Sequence, residues 1–237
     1  MTRSSVTSLA KQGQPRMLEL NQLHVDIAGA QVLRGLSLVV QPGQTVGLLG
    51  RNGAGKTTTL RSTMGHLPVR LGSMHFDGQD LSRLPPEARA GLGIGYMPED
   101  RGLVPELTVE ENILIPLWVS KTLVVHQRMA FVYDMLPVLK DMSQRRALLL
   151  SGGQQKLVAL ARAMAVGTRL LLLDEPFEGV APALSKSLSE AIDKLKGSSL
   201  SVLMSQSDLN HASSLLDTTV LIERGANAPA QGPDGSR

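Results

Sequence analysis

The densest chemical signal in the chain is Gly50-Arg51-Asn52-Gly53-Ala54-Gly55-Lys56-Thr57, followed by Thr58. Glycines at the first and sixth positions of this pattern let a backbone wrap a phosphate with its N–H groups turned inward. A helix beginning at Lys56 would add its positive N-terminal end. Lys56 would place a point charge on the β- and γ-phosphates, and Thr57 would offer a hydroxyl to Mg²⁺. A Gly-rich turn with no ligand is the bland alternative. Against it stands the apolar run Thr45-Val46-Gly47-Leu48-Leu49, which leads straight into the loop as a strand should.

A second run, Leu170-Leu171-Leu172-Leu173-Asp174-Glu175, ends in two carboxylates. A buried strand of this kind would deliver Asp174 to the sheet edge where the phosphates sit, to hold the Mg²⁺ shell. Glu175, one residue on, can polarise an attacking water as general base.

Leu150-Ser151-Gly152-Gly153-Gln154-Gln155 resembles the LSGGQ signature of ABC ATPases and lies just upstream of the leucine run, as it does in that family. The resemblance spans about residues 18–225. It implies an α/β P-loop NTPase core with an antiparallel β edge and an inserted helical subdomain. It also implies ATP and Mg²⁺ as ligands and a head-to-tail dimer of ATPase subunits. Ser151, Gly152, Gly153 and Gln154 would then face the ATP of the partner subunit. The residues bear this out, since Ser151 and two glycines open a helix, which is an anion site.

Finer motifs narrow the resemblance. Gly95-Tyr96-Met97-Pro98-Glu99-Asp100-Arg101 is similar to the segment joining core and helical subdomain, with Glu99 where the family has Gln. Glu99 therefore joins Thr57 and Asp174 as an expected Mg²⁺ ligand. Gly179-Val180-Ala181-Pro182 replaces the common Ser-Ala-Leu-Asp loop, and Gln206 stands at the switch histidine. With Glu175 and Lys56, Gln206 completes the expected catalytic set. The combination resembles the smaller ATPase of branched-chain amino-acid importers and their urea and amide relatives. It implies a second ATPase in a heterodimer, two integral-membrane permease subunits and, indirectly, a periplasmic solute-binding protein. The chain would sit peripherally on the cytoplasmic face of a bacterial inner membrane. The alternative is an ATPase of a lipid or lipopolysaccharide exporter, favoured by Asp174-Glu175-Pro176-Phe177 and disfavoured by Gln206 and Ala181. The family commonly stacks adenine on an aromatic residue where this chain has Ile27, and no aromatic lies between Met1 and Phe76. His24 is a weaker stand-in, being out of phase with Ile27.

These residues need an α/β frame, and the apolar runs supply it. Strands are expected over residues 17–27 and 32–40, as an antiparallel edge, and over 45–49, 170–173 and 200–205. Helices should open at Pro85-Pro86, at the Thr108-Val109-Glu110-Glu111 capping box and at Ser151. The last should be amphipathic and stop at Gly167. Residues 100–165 read as a helical block inserted into one domain of residues 17–224. A flexible segment of residues 1–16 and a disordered tail of residues 225–237 would flank it. Hydrophobic residues make up 42% and charged ones 19%, which excludes a disordered chain. Lys plus Arg number 24 and Asp plus Glu 21, a net charge of +3 too slight to call for nucleic acid. There is no cysteine, so neither disulfides nor thiol chemistry is expected. The polar N-terminal residues show no secretory segment, and no run of about 18 apolar residues would span a bilayer. Trp118 is expected to pack inside the helical block, and His66, His75, His126 and His211 are expected at the surface.

Overall fold

Strands β3 (Thr45–Leu49), β7 (Leu170–Asp174) and β8 (Ser201–Gln206) are buried at every position. Such strands need cover on both faces. The computed structural model describes residues 15–196, 199–208 and 213–228. It builds those strands into a six-stranded sheet with β6 (Ile94–Met97), β9 (Thr218–Glu223) and β10 (Ala226–Asn227), in the order β10-β9-β3-β8-β7-β6. All its pairings are parallel except that of β10 with β9. Side chains alternate across it. Val46, Leu48, Leu170, Leu172 and Leu203 enter one apolar cluster, and Leu171, Leu173, Val202 and Met204 enter the other.

The expected antiparallel edge is a separate sheet. β1 (Leu18–Ile27), β2 (Ala30–Val40), β4 (Leu71–Phe76) and β5 (Gln79–Asp80) form it in the order β2-β1-β4-β5 and cover the first cluster. Helix α1 (Lys56–Met64) follows β3 directly, and α2 (Pro86–Gly91) begins at the expected proline pair.

Between β6 and β7 lie α3 (Val109–Trp118), α4 (Val125–Met135), α5 (Val138–Asp141) and α6 (Gly152–Val166). Helix α3 starts as its capping box predicts. Thr108 Oγ1 accepts from the Glu111 N–H at 3.1 Å, and Glu111 Oε2 accepts from the Thr108 N–H at 2.7 Å. Helix α6 differs from the amphipathic expectation. From Lys156 to Ala165 only Arg162 escapes burial, because α3, α4, α7 (Pro182–Leu195), β6 and β7 pack around it. Trp118 also differs: it ends α3 and is 60% exposed, while Ile113 and Leu117 carry the buried face.

The tail expected to be disordered from Gly225 enters the fold for its first four residues. Gly225 N–H donates to Ala54 O at 2.9 Å, and Asn227 Oδ1 accepts from the Ser37 N–H at 2.8 Å. The physical reason is β10, which adds an antiparallel strand to β9. Residues 229–237, residues 1–14 of the expected flexible segment and His211 lie outside the described residues. His66 and His126 are exposed, while His75 is half-buried in β4.

Asn112 fixes the approach to α3. Its side chain is fully buried, accepts from the Val104 N–H at 2.8 Å and donates to Val104 O at 3.0 Å and Thr108 O at 2.9 Å. Asn112→Leu keeps the branching at Cγ, adds methyl bulk and removes every one of these bonds, so it is expected to cost about 2 kcal/mol or more. A urea titration checks this, with a lower midpoint and an unchanged slope expected.

Candidate functional site

The parallel register brings the chemistry together. Leu49 pairs with Gln206, and Asp174 pairs with Ser205, so the loops after β3, β7 and β8 leave the sheet side by side. The loop after β3 needs its glycines. Gly55 caps α1 at a φ of 111°, where a Cβ would meet Leu33 Cδ2 at 2.8 Å, and a Cβ on Gly50 would meet Ile222 O at 2.4 Å.

Lys56 is almost wholly buried. Its Nζ donates to Gly50 O at 2.6 Å and Arg51 O at 3.2 Å, and lies 3.0 Å from Glu175 Oε1. The expected pair of a loop lysine and a strand-end carboxylate is thus in contact, with both groups at 5% exposure. Glu175 takes the left-handed backbone at φ 46°, which for a non-glycine residue costs about 1–3 kcal/mol. Its N–H donates to Ser205 Oγ at 2.9 Å.

Asp174 is fully buried. Its Oδ1 accepts from Ser205 Oγ at 2.7 Å and from Thr57 Oγ1 at 3.1 Å. Glu99 Oε2 lies 3.4 Å from the same Thr57 hydroxyl, so the three expected Mg²⁺ ligands converge. Burial pushes the Asp174 pKa up, the charges of Glu99 and Glu175 push it further, and the bonds from Ser205 and Thr57 oppose the rise. Asp174 Oδ2 is buried with no hydrogen-bond partner. An orphaned carboxylate oxygen beside a hydroxyl and a second carboxylate fits a hard divalent cation. Mg²⁺ in particular takes one or two carboxylates and draws its other oxygens from phosphate and water. Tyr96, beside this group, has its phenol pKa raised by burial and then by the Asp174 charge.

A cavity of about 470 Å³ opens onto the loop, lined among others by Val32, Asn52, Lys56, Thr58, Glu99 and Glu175. Its lining includes no aromatic residue and one aliphatic side chain, Val32. Ile27, by contrast, lies 39% exposed on the β1–β2 hairpin, and the His24 ring is 3.0 Å from Gln31 Nε2.

Two serines complete the cluster without having been expected. The Ser207 N–H donates to Glu175 Oε2 at 3.2 Å, and its hydroxyl lies 2.6 Å from Glu175 Oε1, 2.7 Å from Asn52 Oδ1 and 3.1 Å from Lys56 Nζ. The contact with the Glu175 carboxylate is therefore made by the neighbour of Gln206. Gln206 itself is 5% exposed. Its carbonyl accepts from the Gly50 N–H at 3.2 Å, and its Nε2 is a buried donor with no partner. That donor suits an anionic oxygen. The only hint in the sequence was a pair of hydroxyl residues around Gln206 at the end of an apolar strand.

Ser151 caps α6. Its Oγ accepts from the Gln154 N–H at 3.3 Å, and Gln154 Oε1 accepts from the Ser151 N–H at 2.9 Å. Among the described residues no hydrogen bond joins residues 151–154 to the phosphate loop. The structure thus gathers Lys56, Thr57, Glu99, Asp174, Glu175 and Gln206 in one place and sets the Ser-Gly-Gly-Gln turn apart.

The ABC transporter family profile matches residues 33–178. The lipopolysaccharide export system ATP-binding protein LptB of Escherichia coli is 34% identical over 199 residues, covering 83% of each chain. The high-affinity branched-chain amino acid transport ATP-binding protein BraG of Pseudomonas aeruginosa is 32% identical over 209 residues, covering 88% of this chain and 90% of BraG. A nucleotide-free ATP-binding cassette from an ABC transporter superposes with a TM-score of 0.80 at 25% identity over 90% of both chains. A dimeric post-hydrolysis cassette bound to ADP and phosphate shares the fold, with a TM-score of 0.81 at 21% identity over 93% of this chain and 100% of that one.

The raised Asp174 pKa has a measurable sign. The folded carboxyl holds its proton more tightly than the unfolded one. Its contribution to stability is therefore complete below the ordinary carboxylate range and is lost as pH rises through the raised folded value. In buffer with chelator and no nucleotide, Asp174→Asn is expected to melt above the wild type at about pH 7, with the gap closing toward about pH 4. Thermal melts across that range check it, and a gap independent of pH would assign the effect to packing.

Proposed function

The chain belongs to the ABC transporter family, as one of its ATP-hydrolysing subunits, and we propose that it energises a bacterial importer of branched-chain or other hydrophobic amino acids or amides. The observation that carries the hydrolytic part is the buried contact between Lys56 and Glu175 beside the orphaned Asp174 oxygen.

In this reading the loop N–H groups and Lys56 hold the ATP phosphates. Phosphate competes with Glu175 for the Lys56 ammonium and frees the carboxylate to face water. Glu175 then takes the proton of the attacking water as general base. Ser207 keeps the carboxylate in line through its N–H and hydroxyl. The Gln206 amide donates to a γ-phosphate oxygen or to the water, but as a neutral group it carries neither proton nor charge. Thr57, Asp174 and Glu99 would hold Mg²⁺, which supplies positive charge to the phosphoryl oxygens. Val32 offers adenine an apolar contact in place of an aromatic ring.

The Ser151–Gln154 turn serves a second subunit's ATP in a head-to-tail dimer, which its separation from this chain's own phosphate loop supports. We place a different ATPase there, with two permease subunits, on the cytoplasmic face of the membrane. Among the described residues no helix is long and apolar enough to cross one. Likeness to BraG over nine-tenths of its length supports the importer, together with Gln206 and the Gly179-Val180-Ala181-Pro182 loop. A second reading, the ATPase of a lipid or lipopolysaccharide exporter, is favoured by the 34% identity with LptB.

Glu175→Gln and Lys56→Ala are each expected to cut phosphate release by the transporter complex at least about 10²-fold. Only Glu175→Gln should keep ATP binding, because it loses the base and leaves the loop intact. Phosphate release and fluorescent-nucleotide titration check both, and a Glu175→Gln enzyme at full rate would remove Glu175 from the mechanism. Transport direction is a separate measurement. The complex reconstituted in liposomes with its own permeases, with ATP sealed inside and the solute-binding protein outside, is expected to accumulate leucine or a short amide. ATP-driven extraction of lipid instead would establish the exporter.

A further inference from the structure

Lys156 lies on α6 with only 4% of its surface exposed. Lysine is almost never buried to that extent unless paired. Among the described residues it forms no salt bridge, and its Nζ donates to the main-chain carbonyl of Glu175 at 2.6 Å. Burial lowers its pKa, while Glu178, Glu175 and Glu99 draw it back.

The carbonyl that Lys156 holds belongs to the residue whose backbone is left-handed at φ 46°. Such a conformation persists for glutamate only where its surroundings over-determine it. Three contacts do so here. The Glu175 N–H donates to Ser205 Oγ, and its carbonyl accepts from Lys156 Nζ and, at 3.2 Å, from the Glu178 N–H. The twist of this peptide sets the direction of the Cα–Cβ bond and so sends the carboxylate to Lys56 and Ser207. Rotating the peptide would swing the carboxylate out of that contact.

We infer that Lys156 is the positioning residue of the hydrolytic carboxylate: its ammonium clamps the Glu175 peptide and makes the carboxylate's direction follow the position of α6. The inference rests on Glu175 being the base. Helix α6 opens at Ser151, so a displacement at its signature end is carried to Lys156 along one 15-residue helix. Occupancy of the partner subunit's site is thereby felt at this chain's own base. The side chain suits the task, since it spans the gap from a buried helix with an unbranched apolar stem and ends in a donor.

The test compares wild type, Lys156→Met, Lys156→Arg and Glu175→Gln in the full transporter complex. It measures ATP hydrolysis, binding of a fluorescent ATP analogue and thermal melting. Methionine keeps the unbranched stem as far as Cε and removes the charge and the donor. A buried ammonium with a carbonyl partner weakens folding, so Lys156→Met is expected to melt no lower than the wild type. Its kcat is expected to fall about tenfold or more, with KM and analogue affinity within about twofold and most of the rate regained in Lys156→Arg. Should Lys156→Met fail to assemble, Lys156→Gln replaces it, with the same split between kcat and KM expected. A rate within about twofold of wild type would overturn the inference, as would a kcat loss accompanied by lower melting or weaker binding, or an arginine variant no better than methionine. If Glu175→Gln is inactive while Lys156→Met is fully active, Lys156 alone loses its role. If Glu175→Gln is fully active, the base and the clamp fall together.

Discussion

Strand β8 runs between β3 and β7, parallel to both, and its register decides where every reactive group emerges. Leu49 faces Gln206 on one side and Asp174 faces Ser205 on the other. The Gly50 N–H extends the pairing one step past the strand by bonding Gln206 O. Residues 117 and 151 positions apart in sequence then meet within hydrogen-bond distance, as Thr57 with Asp174 and Lys56 with Ser207. A one-residue slip of β8 would turn Ser205 to the opposite face and strand both carboxylates. The two apolar clusters guard against it, because Val202 and Met204 fill one and Leu203 the other.

At the end of that apolar sheet sits a group of charges that folding alone does not favour. Asp174, Glu175, Lys56, Lys156 and Gln206 are all nearly out of water, two of their polar atoms have no partner, and one backbone is left-handed. Ionised groups in such surroundings are destabilising unless fully paired. Here the pairing is partial, and each deficit matches something a nucleotide brings. A phosphate oxygen matches the Gln206 amide, and a cation matches Asp174 Oδ2. Concentrated departures of this sort from well-satisfied packing are expected where a protein works.

The legible parts of the sequence were those with strict spacing. The phosphate loop, the leucine run with its two acids, the Thr108 capping box and the helix start at Ser151 involve neighbours along the chain, so periodicity and turn chemistry reach them. β4, β5, β6, β9 and β10 were not read, since all are short: β4, β6 and β9 pair with strands distant in sequence, and β5 and β10 are two-residue returns onto the strand before them. The exposure of Trp118 and the burial of α6 all round depend on which helices surround them. Ser207 escaped notice for a geometric reason. The family resemblance pointed to the residue aligned with the histidine, but β8 ends at Gln206, and the next residue turns its N–H and hydroxyl toward Glu175. Likewise Gly225 looked like tail chemistry, and only the β10 pairing shows why residues 225–228 are held.

In the reading proposed above, the hydrolytic edge does not itself decide the direction of transport. The groups at the ends of β3, β7 and β8 deal with phosphate, water and a cation, and none of that chemistry carries a direction. Direction has to enter through elements that move relative to this edge. On the proposed reading helix α6 is the candidate for that role. Its first N–H groups have no partner within the helix, and the Ser151–Gln154 box satisfies only part of them, which leaves the glycine end open to an anion from outside. Its remaining length is packed against β6, β7, α3, α4 and α7, so it cannot shift without dragging side chains of both the helical block and the sheet. In the reading proposed above, a phosphate held at the glycine end of α6 would press on the helical block, at whose surface Trp118 and the following Val119 stand exposed. On that reading the permease meeting this surface, rather than the hydrolytic edge, would set which way the solute goes.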